Sequence, residues 1–326
     1  MNLSRHSYLV AKIFILFTVS GIQAGMYVAV GNSILGISGF FVDFWIIFFS
    51  TACFANIMGL NLSGAMNSVI NVYIIIPLLL IPQMILSGAL FPFDKLNNTL
   101  TPKEVPPIIA DMMVSRWAYE ALAVQQYTGN DYQKYFYTTN QQLKKAYVYK
   151  TFLLPEIKVM QEKGHYDDVN RLLSFITTDM NIDLNYDIPV ENQITYVNNS
   201  LIKRSATYHQ KKEYIRKKLE ERGHSVMALK NKYYNESLGG LVRNSGSTNR
   251  IHLDNNRLPV NTEQVFFQPS PLHFLDYRAH LFAPEKHIAG IYVSTFIFNC
   301  IVIWAFSLLF YITLYRKTFN LSKQNS

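Results

Sequence analysis

Two groups of side chains have the types and spacing to suggest chemistry: three histidines at intervals of seven, His273, His280 and His287, and an i,i+4 pair, Arg116 with Glu120. A zinc-type site needs its donors within about 2.0–2.3 Å of one ion. Seven residues along a helix separate neighbours by about 10 Å, and Pro284 interrupts the series, so no metal site is expected. Ser, His and Asp all occur, without the elbow or spacing of a nucleophile–base–acid constellation. The chain also lacks the G-x-x-x-x-G-K-[ST] loop whose backbone amides cradle phosphates. Catalytic, metal and cofactor residues are therefore expected to be absent, and the chain is not expected to be an enzyme on its own. What remains is Arg116 and Glu120, on a stretch otherwise apolar and aromatic (Trp117, Tyr119, Leu122, Val124), where the spacing allows an intrahelical ion pair.

The elements that hold such a pair are marked by how charge is distributed. The 326 residues have a mean hydropathy of +0.07, with 30 Lys and Arg against 22 Asp and Glu. Only Arg5, Lys12 and Asp43 precede residue 94, only Arg316, Lys317 and Lys323 follow residue 286, and the other 46 charges lie between. A single water-soluble globule does not sort charge in this way; membrane at both ends of a water-exposed body does. A spanning helix needs about 20 apolar residues, and four stretches meet that length: about 9–30, 39–60, 69–91 and 288–314. The first is too long, and too soon followed by further spans, to be a secretory signal. Basic residues flanking the first and last stretches place both termini in the cytoplasm, and with four crossings residues 94–286 lie on the outer face. Their 25 basic and 21 acidic residues do not oppose this, because long loops translocate largely regardless of charge. Both cysteines, Cys53 and Cys300, fall inside spans, so the external body has no disulfide, which fits a bacterial envelope protein with its own core.

Gly21-x-x-x-Gly25 in the first span, and Ser50 and Ala55 in the second, offer small faces for helix contact. Asp43, near the start of the second span, reads as an interfacial carboxylate. Pro77 and Pro82 each delete a backbone donor and kink the third span, and a kinked helix can line a cavity.

The order of four sequence features resembles the second part of the transmembrane domain of a white/ABCG-class ABC exporter, a type-2 ABC permease. They are Arg5-His-Ser-Tyr-Leu-Val-Ala-Lys12 opening a span; Met84-Ile-Leu-Ser-Gly-Ala-Leu-Phe-Pro92 closing one; Ser115-Arg-Trp-Ala-Tyr-Glu-Ala-Leu122 with Gln125, Gln126, Tyr127 and Gly129; and the aromatic last span ending in Arg316-Lys317. The likeness covers about residues 4–132 and 286–318. It implies an all-α membrane protein of four transmembrane helices plus a re-entrant helix. The expected divisions are 1–93 with three spans, 94–130 as a re-entrant and juxtamembrane segment, 131–286 as a mostly helical extracytoplasmic insertion, and 287–326 with the last span and a cytoplasmic tail.

By the same resemblance Pro77, Ile81 and Met84 correspond to the substrate-cavity wall and Ala89 and Leu90 to an outer plug. Arg116, Trp117 and Glu120 correspond to the re-entrant helix, and Arg5 and Lys12 to the cytoplasmic coupling side. An apolar wall containing methionine suits hydrophobic or amphipathic cargo. ATP and Mg would act through a nucleotide-binding domain, upstream in a longer chain or on a separate subunit, and two transmembrane halves would pair as a dimer in the bacterial cytoplasmic membrane. Since the first two family spans and the ATPase have no counterpart here, the chain is expected to be a truncated portion. Ser237-Leu-Gly-Gly240 has a superficial likeness to the ABC signature and reads as a turn. The competing reading is a membrane-anchored envelope protein whose external body binds a partner.

In that body Val197, Leu201, Tyr208, Ile215 and Leu219 recur at helical spacing, with Gly223 as the stop. Eight basic residues against three acidic ones between Lys203 and Arg222 fit a solvated face, or contact with membrane lipid or an acidic partner; a nucleic-acid partner is not expected outside a cell. Residues 239–268 read as a loop with a short strand at 264–268.

Overall fold

The structure is a computed structural model that describes residues 5–66, 68–91, 93, 105–245 and 262–324, without the side chains of 5, 6, 69 and 317–324. Two compact units divide the chain, Met1–Gln126 with His273–Ser326 and Tyr127–Leu272. Pro92, residues 94–104 and most of the expected 239–268 loop lie outside the described residues, as does the Arg5 side chain.

The first unit begins with α1 (Arg5–Leu35) and α2 (Phe41–Ala65). Gly21 and Gly25 supply the flat face that α2 packs on: a Cβ at Gly21 would meet the Phe49 ring at 3.5 Å, and one at Gly25 the Trp45 indole at 3.6 Å. The indole uses this proximity to donate to the Gly21 carbonyl at 2.9 Å, and Asn56 donates to the Ser20 hydroxyl at 2.8 Å. In hydrocarbon, such interhelical bonds contribute about 0.6 kcal/mol each and up to about 1.7.

Next is α3 (Val69–Ile85), apolar but only 17 residues long and containing both prolines. The expected third span does not run to residue 91 as helix. Past Pro82 the Ser87 hydroxyl donates to the Met84 carbonyl (2.7 Å) and accepts from the Ala89 amide (3.1 Å), a local alternative to helical bonding. Gly88 then turns the chain at φ +80°, where an added Cβ would come within 3.0 Å of Leu281 and Phe93. Two shorter helices follow, α4 (Ile108–Asp111) and α5 (Val114–Thr128).

The second unit contains α6 (Gln133–Val148), which continues through a π-turn at Tyr149–Leu153 into α7 (Leu154–Glu162), then α8 (Tyr166–Met180) and α9 (Val190–Glu221). Its core is an aliphatic stripe on α8, where Val169, Leu172, Leu173 and Ile176 are fully buried. Each such side chain stabilises the fold by about 1.5–3 kcal/mol. Packed chiefly on α6, α9 buries Val197 and Leu201, and Leu219 is buried further along, while Tyr208 and Ile215 are half-buried, the face that the spacing predicts. Gly223, at φ +80°, ends the helix. Inside this core Asp179 accepts from Lys145 Nζ and from the Tyr149 hydroxyl, both at 2.6 Å.

Two expectations for the following segment are corrected. Ser237-Leu-Gly-Gly240 is no turn: after α10 (Val226–Tyr233), Asn235 caps α11 (Glu236–Val242) by accepting from the Leu238 amide at 3.0 Å. Residues 264–266 form a 3-10 turn instead of a strand. Its carbonyls are satisfied by side chains of α6, Val265 by the Tyr137 hydroxyl (2.7 Å) and Phe266 by Gln141 (3.0 Å), leaving no ladder to complete.

Back in the first unit, the expected last span starts late. Residues 288–294 belong to a hairpin, β1 (Glu285–Ile288) with β2 (Ile291–Ser294), rather than to a helix. Ala289 and Gly290 both have positive φ, 52° and 81°, the requirement of a tight two-residue turn. Only then does α12 (Thr295–Gln324) begin. It packs on α2 and α1, with the Trp304 indole donating to Ser50 (3.0 Å) and Asn61 donating to the Phe310 carbonyl (2.9 Å). Ser50 is thus in a helix contact as expected, whereas Ala55 is exposed. Among the described residues three helices are long and apolar enough to cross a bilayer, within Ser7–Leu35, Phe41–Ala65 and Thr295–Arg316; Ile70–Ile85 is a shorter apolar helix.

Candidate functional site

A buried ionic cluster joins α4, α5 and β1 to the start of α12. Arg116 is 2% exposed, Lys286 1% and Glu120 not at all. Arg116 pairs with Glu120 at 3.5 Å, as the i,i+4 spacing predicts, but lies closer to Asp111, at 2.9 Å. The remaining oxygen of Asp111 faces Arg278 at 3.3 Å, and that of Glu120 faces Lys286 at 2.5 Å. Asn299, inside the first turns of α12, donates to Glu120 Oε2 at 3.1 Å and to the Trp117 carbonyl at 2.9 Å.

Packing explains why these charges are dry. Trp117 lies in a core with Phe54 of α2 and Phe298 and Ile303 of α12. Its indole donates to the Asp111 carbonyl (2.8 Å), and the Arg116 guanidinium sits 4.0 Å over its ring. On the other side of α5, Leu122 packs against Val28, Phe40 and Phe44. Burial pushes the Asp111 carboxyl above the usual carboxylate range against the pull of Arg116, Arg278 and Lys286. Burial likewise draws Lys286 below the usual lysine range, against the pull of Glu120. Both groups are therefore charged at a desolvation cost, so the pairing is weak evidence of a net gain in stability.

The α3 face is the opposite case. Pro77, Ile81 and Met84 are exposed, Ile81 at 54% and Met84 at 56%, together with Tyr73, Ile74 and Leu78. Pro77 and Ile81 are one helical turn apart, and Met84 follows on the same side. Ala89 and Leu90, beyond the Gly88 turn, are exposed too. The end of α3 is fastened to α5: the Ser115 hydroxyl donates to the Gln83 carbonyl at 2.5 Å, and the Ser115 amide to Gln83 Oε1 at 3.1 Å. The end of α3 and the helix that carries the ionic cluster are thus joined by hydrogen bonds.

Lys12 is exposed on α1, its ammonium 6.0 Å from the Tyr8 ring centre. Asp43 lies in the first turn of α2, where the helix dipole favours a carboxylate, and accepts from Gln125 at 3.4 Å. The three histidines are not brought together on one helix. His287 is on β1, its Nδ1 3.3 Å from the Asp276 carbonyl, and no group of three His, Cys, Asp or Glu among the described residues is placed to hold a metal. Sequence reasoning missed Asp111, Arg278, Lys286 and Asn299. An asparagine inside an otherwise apolar span was the available signal for the last of these.

Residues 1–127, the part containing α1 to α3 and nearly all of α5, match the family model of the ABC-2 type transporter. This supports a type-2 ABC permease, the membrane component of an ABC transporter and not itself the catalytic one. Neither a curated protein nor a solved structure matches the chain.

Proposed function

We propose that the chain is the permease portion of an ATP-driven exporter of the white/ABCG class, moving a hydrophobic or amphipathic substrate. The observation that carries this reading is the ABC-2 match over the span-bearing residues 1–127. Two copies would face each other across α3, so that Pro77, Ile81 and Met84 line a shared cavity and Ala89 and Leu90 close it above. An apolar helix this exposed in one chain needs lipid or a partner, and a kinked, methionine-containing face adapts to irregular cargo.

In this reading α5 is the re-entrant helix near the outer face, and the Asp111–Arg116–Glu120–Lys286 cluster holds it rigidly against α12. Arg5 and Lys12 lie toward the cytoplasm, where a nucleotide-binding domain, fused or separate, supplies ATP hydrolysis with Mg. This chain's own residues bind and enclose cargo, exclude water through the plug, and transmit motion from α3 to α5 through Gln83 and Ser115. The setting is the bacterial cytoplasmic membrane, with both termini inside.

The test is affinity purification of the chain from its native membranes. Recovery of a nucleotide-binding domain at one per chain, with ATP hydrolysis lost in a P-loop mutant, is expected. A preparation with no nucleotide-binding domain would overturn the reading and leave the membrane-anchor alternative.

A further inference from the structure

We propose that the cavity between α6, α9, α10 and α11 binds a phosphate-bearing ligand of sugar-phosphate size. The cavity has a volume of about 460 Å³, inside the range of about 300–1,000 Å³ typical of small-molecule sites. Four cations from four helices line it: Lys144 of α6, Lys212 of α9, Lys230 of α10 and Arg243 at the end of α11.

Two carboxylates are shared among three of these cations, which leaves the cavity with a net positive wall. Glu263 is shared between Lys144 at 2.8 Å and Arg243 at 3.8 Å. Glu236 pairs with Lys230 at 2.9 Å, but its side chain is 77% exposed, and so exposed a pair holds little. Lys212 makes no ion pair among the described residues. Burial draws its pKa down, helped by the like charges of Lys144 and Lys230 and opposed by the neighbouring Glu213. A lysine repelled by two others at the wall of a polar cavity is a site where an anion relieves strain in the charge distribution. Phosphate answers this best: Arg243 keeps its terminal nitrogens for it, since its Nε donates to the Gly239 carbonyl at 2.9 Å, and the lysines act as point charges.

The remainder of the wall suits a polyhydroxylated body. Tyr234 stands edge-on to Tyr132 (5.7 Å between centres) and tilted against Tyr127 (5.9 Å), offering ring faces and hydroxyls together. Gly239 permits this arrangement, since a Cβ there would come 2.5 Å from the Tyr234 hydroxyl. None of this depends on the permease reading.

A free sugar phosphate and the sugar-phosphate headgroup of a lipid share this chemistry, and the experiment separates them. The full chain, in nanodiscs of zwitterionic lipid, is titrated calorimetrically at constant ionic strength with glucose 1-phosphate, with water-soluble dioctanoyl phosphatidylinositol and with glucose. Saturable binding of either phosphate compound, with glucose silent, is expected; the tighter of the two identifies the source. Lys212→Gln should weaken binding at least tenfold, while Lys217→Gln, which removes the same charge from α9 outside the cavity, should leave it unchanged. Lys230→Gln provides a second reading if Lys212→Gln fails to elute as a folded species. Binding of neither compound, or equal losses in the cavity and control variants, would overturn the proposal.

Discussion

The Nζ of Lys286 on β1 lies 2.5 Å from Oε1 of Glu120 on α5, and neither side chain is more than 1% exposed. The hairpin that precedes the last span is thereby tied to the helix that follows the apolar α3, across 166 residues of chain. Breaking one side of such a pair leaves a buried charge uncompensated, at a cost of about 3–5 kcal/mol. Lys286→Met is therefore expected to lower the midpoint of thermal unfolding of the purified chain sharply. Adding Glu120→Gln to it should recover most of the loss, since the charge that was left behind is then gone. If the double variant is no better than the single, Arg116 alone compensates Glu120 and the pair is not the fastening that the distances indicate.

Helix contact in the first unit rests on small residues and a few polar bonds. Trp45→Phe keeps an aromatic ring but removes the donor to Gly21 and the five-membered ring beside Gly25, and should cost at least the bond's share, about 0.6 to 1.7 kcal/mol. Gly21→Leu should cost more, because its side chain must displace Phe49, which is already at contact distance from a single added carbon. Equal effects of the two on unfolding in detergent would contradict the packed face.

Anion binding in the second unit should depend on pH through Lys212. Its pKa is lowered, so the protonated, binding form is lost before the ordinary lysine range as pH rises. Its neighbours do not reproduce this trend. Lys230 is raised by its bond to Glu236, and burial keeps Tyr127 and Tyr132 neutral to higher pH than usual. Glu213, beside Lys212 on α9, opposes the lowering, and Lys144, Arg243, Glu236, Glu263 and Tyr234 are the other titratable groups around the cavity. Calorimetric titration with glucose 1-phosphate from pH 7 upward should therefore show affinity falling early in the wild type and no early fall in Lys212→Gln. An unchanged affinity up to pH 10 in the wild type would contradict the assignment.

The position of Tyr234 at that cavity depends on Gly239, where an added Cβ would come 2.5 Å from its hydroxyl. Gly239→Ala should displace the Tyr234 hydroxyl, weaken glucose 1-phosphate binding severalfold and leave helix content, measured by circular dichroism, unchanged. Loss of helix content would instead place the effect on α11 itself.

Charge distribution and apolar run length made three of the four expected spans legible, because a bilayer imposes both, whereas the third stretch forms a shorter helix. The Arg116–Glu120 spacing likewise made one edge of the ionic cluster visible, since i,i+4 geometry is local. The rest was not legible for physical reasons. Lys286 and Asp111 meet α5 only through tertiary folding, and a lysine beside a span ordinarily reads as solvated. The 285–294 hairpin was hidden because its second strand, Ile291–Ser294, leads into the apolar α12 with no charged or proline residue between them to mark the boundary. The cationic cavity draws its four charges from four helices, and only the run on α9 stood out in the sequence.

The most direct measurement concerns α3. In a background with Cys53 and Cys300 replaced by serine, Ile81→Cys and Met84→Cys are introduced singly, and disulfide formation between copies is followed in native membranes with and without ATP. A shared cavity between two permease halves predicts a cross-linked dimer at both positions whose yield changes when ATP is added. Ready labelling of both cysteines by a membrane-permeant maleimide, with no cross-linked dimer under either condition, would contradict it.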